Sequence, residues 1–131
     1  MNWQGALTQR LLDDAAVAAI VEDRVRWDEA EQDDAVPFII LTVIEDSRPR
    51  HMEGGQGFRP SFVQIDCYHG GSKLAALTLR EAAIDALAAG GVFDGVRFDP
   101  LRIEAVRSEK ERISGTEVRW RESVDIILFH D

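Results

Sequence analysis

The sequence predicts an α+β fold over a single domain, residues 1–131: a mainly antiparallel sheet of four to five strands with two helices packed on it, in the order α-β-β-β-α-β-β. Three observations predict it. Pro37-Phe38-Ile39-Ile40-Leu41-Thr42-Val43-Ile44 is apolar on both faces of a two-residue period, as a strand covered on both sides reads. Ser61–Tyr68 alternates, with Val63, Ile65 and Cys67 on one face and Phe62, Gln64, Asp66 and Tyr68 on the other. Between these runs lies only the loop Ser47–Arg59, with Gly54-Gly55-Gln56-Gly57 near its tip, so the two strands are expected to pair antiparallel.

The remaining elements follow in order. Leu7, Leu11, Ala15 and Ala18 recur at helical spacing, with Leu12, Ala19 and Ile20 widening the stripe, which predicts one helix from about Ala6 to Val21. Arg24-Val25-Arg26-Trp27 alternates briefly, as an edge strand does. Asp28-Glu29-Ala30-Glu31-Gln32-Asp33-Asp34 holds five acids, no base and no apolar period, and reads as a solvated loop. Gly70-Gly71 breaks the chain after the second central strand, and Ser72 caps a helix running from Lys73 to about Ala89. Leu74, Leu77, Glu81, Ile84 and Leu87 or Ala88 mark one face of that helix, and its many alanines let it lie close on a sheet. Gly90-Gly91 ends it. Two strands close the chain, about Leu101–Ser108 and Glu117–Phe129. In the second, Val118, Trp120, Val124, Ile126 and Leu128 share a face that Glu122 interrupts.

Composition narrows the function. A net charge of −9 argues against bulk attraction to nucleic acid or an anionic membrane. A single cysteine excludes an internal disulfide and a cysteine-based zinc cluster, and fits a reducing cytoplasm. No apolar run approaches the roughly 20 residues of a membrane span, and the first residues lack the basic and apolar regions of a signal peptide.

Motifs for catalysis are few. Cys67 and His69 share a strand face and could form a thiol–imidazole pair, but Cys67 aligns with Val63 and Ile65 and reads better as a small core hydrophobe. Asp66 with Asp125 or Glu122 could form an acid/base pair if their strands are neighbours. None of His51, His69 and His130 has metal-site spacing. The glycine loop precedes a strand and lacks the lysine of a phosphate-binding loop, so it reads as a hairpin tip of a length often used for binding. Two charged segments stand out as contacts. Arg48, Arg50, His51, Gly54, Gly55, Gln56, Gly57 and Arg59 make a basic candidate interaction loop, and Asp28, Glu29, Glu31, Asp33 and Asp34 make an acidic counterpart.

The ordered pieces resemble the tail-completion, or tail-terminator, protein family of long-tailed phages and gene transfer agents. A helical start leads to Arg24-Val25 and the proline-opened strand Pro37-Phe38-Ile39-Ile40-Leu41. A glycine-bearing loop precedes Val63-Gln64-Ile65-Asp66-Cys67-Tyr68, an alanine-rich helix runs from Ala75 through Leu87, and the closing strand carries Asp125. The most specific piece is Gln64-Ile65-Asp66, then Tyr68, then the alanine helix. The resemblance implies a structural virion protein that is not an enzyme and carries no cofactor. It implies a ring of copies, typically six, that caps the head-proximal end of the tail tube and joins it to the head connector. The implied partners are further copies of the chain, the tail tube protein and the head–tail connector protein, with no sequence-specific nucleic acid and no membrane. Assembly would take place in the host cytoplasm. Two other readings compete: a small monomeric ligand-binding module, and an enzyme using Cys67 and His69.

Overall fold

The computed structural model describes residues 2–32, 34–46 and 59–131. These hold three helices, α1 (Trp3–Asp13), α2 (Ala15–Val21) and α3 (Lys73–Leu87), and seven strands. The strands are β1 (Val25–Trp27), β2 (Phe38–Asp46), β3 (Arg59–His69), β4 (Gly91–Phe93), β5 (Val96–Phe98), β6 (Arg102–Arg112) and β7 (Val118–His130). The class is α+β. The expected antiparallel sheet of four to five strands with two helices is corrected to a mixed seven-stranded sheet with three.

Each correction has a local cause. The expected first helix is two, because Asp14 leaves helical geometry (φ −79°, ψ 122°) and its carboxylate accepts from the Val17 amide at 3.0 Å. Asp14 thus ends α1 and caps α2. β1 pairs with β2 in parallel, Val25 opposite Ile39. Parallel neighbours need a crossover, and the acidic segment lies in that connection. The Asp94-Gly95 turn, at φ 49° and 79°, closes a short hairpin of β4 and β5 that the sequence reading left out.

β7 is the spine of the sheet. It pairs antiparallel with β3 from Arg59↔His130 to His69↔Trp120. Its other edge takes β6 along Val118–Ile127 and meets β5 at Phe98↔His130. As expected, β2 and β3 pair antiparallel, Ile39 opposite Cys67.

The core lies between one face of this sheet and the helices. Ile39, Leu41, Val63, Ile65, Cys67, Val124, Ile126 and Leu128 pack there with Leu7, Leu11, Val17, Leu79 and Leu87, all buried. The buried stripe of α3 is Ala76, Leu79, Ala83 and Leu87, which shares only Leu87 with the one expected, and Leu74 is 73% exposed. Arg80 fixes that rotation by reaching Glu122 on the sheet. Trp120 is only half-buried, with the Lys110 ammonium 5.2 Å from its ring centroid.

Candidate interaction surfaces

The acidic segment is built rather than merely solvated. Asp28 turns the chain with a positive φ of 71°, and its amide donates to the Leu41 carbonyl at 2.8 Å. Arg26 on β1 grips Asp34 through Nε (3.1 Å) and Nη2 (3.2 Å), and Asp34 also accepts from the Glu31 amide at 2.8 Å. The Arg26 hydrogen bond holds the Asp34 carboxyl below the usual carboxylate range. Asp34 is therefore a tie within the crossover. Asp28, Glu29 and Glu31 are exposed, with Glu31 3.5 Å from Arg26. Asp33 lies outside the described residues.

Of the basic loop, Arg48, Arg50, His51, Gly54, Gly55, Gln56 and Gly57 lie outside the described residues. Arg59 opens β3 opposite His130 and is half-buried.

The sheet face away from the helices carries a charge ladder that sequence reading missed. Arg107 on β6 binds Asp125 on β7 at 2.6 and 3.1 Å, and lies 3.4 Å from the Gln64 side-chain oxygen on β3. Gln64 Nε2 donates to both Asp66 oxygens, and the Ser123 hydroxyl donates to Asp66. Further along, Arg121 pairs with Glu109 and lies 3.5 Å from Glu111. Arg119 stacks over Phe38 and Tyr68. Apart from Gln64 and Asp66, neighbours on β3, these partners belong to different strands, so the register brings them together.

The candidate catalytic groups find other roles. Cys67 is fully buried, and burial pushes its thiol pKa well above the ordinary value. His69 Nδ1 instead accepts from the Gly71 amide at 2.9 Å. Asp66 and Asp125 share a face but are separated by Gln64, and Asp125 is taken by Arg107. Glu122 points to the opposite face, to Arg80 and Ser108. No metal-binding cluster of three or more His, Cys, Asp or Glu occurs among the described residues, and none of their helices is long and apolar enough to cross a membrane.

Two further sites were not legible in the sequence. Ser61 Oγ donates to Asp46 at 2.9 Å and lies 2.8 Å from His130 Nε2. Ser, His and Asp therefore meet, but the acid holds the serine instead of orienting the imidazole, and Ser61 and His130 are fully buried. A triad needs the opposite order and an open nucleophile, so the cluster is a structural lock. Trp3 stacks on His130 at 4.8 Å and ties α1 to it. The second site is a cleft of about 460 Å³ lined by α1, α3 and the β4–β5 hairpin. Arg10 lines it, stacked 3.9 Å over Phe93, with Nη2 donating to the Ala89 carbonyl at 2.7 Å.

A family model, tail completion protein gp17, matches residues 5–123. No curated protein matches the chain. Among solved structures, a chain of the virion of a native gene transfer agent particle superposes with a TM-score of 0.64 at 19% identity, over 98% of this chain and 94% of that one. A second solved chain superposes with a TM-score of 0.54 at 16% identity, over 96% of this chain and 92% of that one. At these identities the two structures establish a shared fold.

Proposed function

The chain belongs to the tail completion protein gp17 family and is a tail structural protein, and from that premise we propose that it ends the tail tube as a ring and joins the tube to the head connector. The observation that carries the reading is the family match across residues 5–123. The fold shared with a virion chain supports a place in the particle. A structural role also accords with the candidate nucleophile Cys67 being sealed in the core.

In this reading the ring contact is head-to-tail. Such a contact closes only when its rotation suits a ring. The exposed acids Asp28, Glu29 and Glu31 of one copy meet the basic loop, with Arg48 and Arg50, of the next copy or of the tube. Opposite charge fixes register more than it adds affinity. Exposed pairs contribute only about 0–1 kcal/mol each, but a ring repeats the term at every interface.

The test reverses Arg48 and Arg50 to glutamate. Mass in solution is measured across a salt series, alone and with the tail tube protein, and capped tubes are counted by negative-stain microscopy. The charge contact predicts loss of assembly or capping at low salt, and a wild-type assembly that weakens as salt shortens the Debye length below about 8–10 Å. Unchanged mass and capping would place the contacts on apolar surface instead. Failure of the wild-type chain to cap tubes would sink the terminator reading itself.

A further inference from the structure

Among the described residues β6 is paired on one side only. Its inner edge holds β7, and no strand pairs with its outer edge among the described residues. Its side chains are almost all exposed, including the apolar Val106, 45% exposed. A row of unsatisfied strand N–H and C=O groups is a template for another strand.

We propose that the free protein forms a two-fold dimer through this edge, β6 against β6, antiparallel and centred on Ser108. The strand itself selects a second copy. About an axis through Ser108, Arg107 of each copy faces Glu109 of the other, Val106 faces Lys110, and Ala105 faces Glu111. Centres at Arg107, Glu109 or Lys110 each set a charge against its own copy, and a centre at Val106 carries the pairing across the bulge between Ile103 and Ala105. Ser108 is the one centre among these that does neither.

The charge ladder extends the argument. Arg107 is already bound to Asp125, and Glu109 to Arg121, on the same sheet face. Pairing about Ser108 places them in an unbroken row of alternating sign: Asp125, Arg107, then Glu109 and Arg121 of the second copy. The bulge between Ile103 and Ala105 lies outside the Ala105–Glu111 stretch that carries the pairing. β6 holds four bases and three acids in a chain of net charge −9, so it is a strip on which two such chains can meet without net repulsion. The contact is isologous and closes at two copies. It is thus a state of the unassembled chain, independent of the head-to-tail ring contact.

Sedimentation of the full chain over a concentration series tests it. The wild type is expected to shift from monomer to dimer. Arg107→Glu and Glu109→Arg should each weaken the dimer about tenfold or more, since each places two like-charged pairs across the axis. Mixing the two variants should restore a one-to-one dimer, because the acids of one then face the bases of the other. Circular dichroism checks that each variant folds. Ser108→Cys gives an independent measurement: the residue meets itself at the axis, so mild oxidation should yield a cross-linked dimer that the wild type does not form. A wild type that stays monomeric, a dimer indifferent to both charge reversals, or a folded Ser108→Cys that does not cross-link would each overturn the pairing.

Discussion

Arg80 on α3 reaches the fully buried Glu122 of β7, Nη1 to Oε1 at 2.9 Å, and Ser108 on β6 donates to the same oxygen at 2.7 Å. One carboxylate therefore ties a helix and two strands at the place where the apolar face of β7 is interrupted. A charge in that position is tolerable only while it is paired.

Truncating Arg80 leaves Glu122 as an uncompensated buried charge. Arg80→Met is expected to lower stability by about 3–5 kcal/mol in urea unfolding. The double change Arg80→Met with Glu122→Leu removes the charge along with its partner and should recover much of that loss. If the double variant is no more stable than the single one, the pair is not the source of the cost.

Cys67 is sealed beneath the helices, and burial raises its thiol pKa, so the reactive thiolate is scarce at neutral pH. A thiol reagent should label the native protein slowly, at a rate that rises with denaturant. Cys67→Ala should fold with a modest loss of stability. Fast native labelling at neutral pH would show an open thiol and revive the nucleophile.

The strand phases were legible because a period of two carries its own evidence. Val63, Ile65 and Cys67 on β3, and Val124, Ile126 and Leu128 on β7, are buried as their alternation implies. The rotation of α3 was not legible, since alanine lines several of its faces and the deciding contact, Arg80 to Glu122, joins residues 42 positions apart. Asp14 as a double cap looks like any surface acid within a helical stripe. Parallel pairing of β1 and β2 is a tertiary choice that a three-residue strand cannot announce. Only Asp94-Gly95 was a readable signal passed over, because the runs beside it are three residues each. The sites follow the same logic. The charges of the acidic segment were visible, whereas the Arg26 tie and the Ser61–His130 contact, 69 positions apart, depend on the fold.

His130 gives the stability a pH dependence. Burial lowers its pKa from 6.5, opposed by the hydrogen bond with the Asp131 main-chain oxygen; Arg59 lowers it further, and Asp46 and Asp131 raise it. The unfolded chain then binds a proton near pH 6.5 that the folded chain still refuses. Stability is present in full above that pH, falls as pH drops through it, and levels off below the folded pKa. Thermal melts from pH 7.5 to 5 should show the decline, and His130→Gln should flatten it. Asp34 and Glu109, whose pKa values are lowered, act in a separate window below the ordinary carboxylate range. A protein that gains stability between pH 7 and 6 would show that the hydrogen-bonded imidazolium outweighs its burial.

Within the acidic segment one acid serves the fold while others face solvent. Asp34 accepts from Arg26 and from the Glu31 amide, so its charge is spent on holding the β1–β2 crossover. Asp28, Glu29 and Glu31 are exposed. Asp34→Asn should therefore lower the melting temperature, and Arg26→Gln should lower it by a similar amount, because each removes the same bidentate contact. Their double variant should cost little more than either alone, as coupled partners do. Asp28→Asn, which suits the positive φ of 71° there, together with Glu29→Lys should leave the melt nearly unchanged, since surface changes away from such ties seldom matter to the fold. If these acids meet the basic loop of a neighbour, the same two changes should nonetheless impair ring formation or tube capping at low salt. Combining them with reversal of Arg48 and Arg50 should restore assembly, provided both sides of the contact lie on copies of this chain. Restoration would fix the pairing as copy to copy. A combined variant that assembles no better than either single set would assign the basic loop to the tube protein, or remove the acids from the contact altogether.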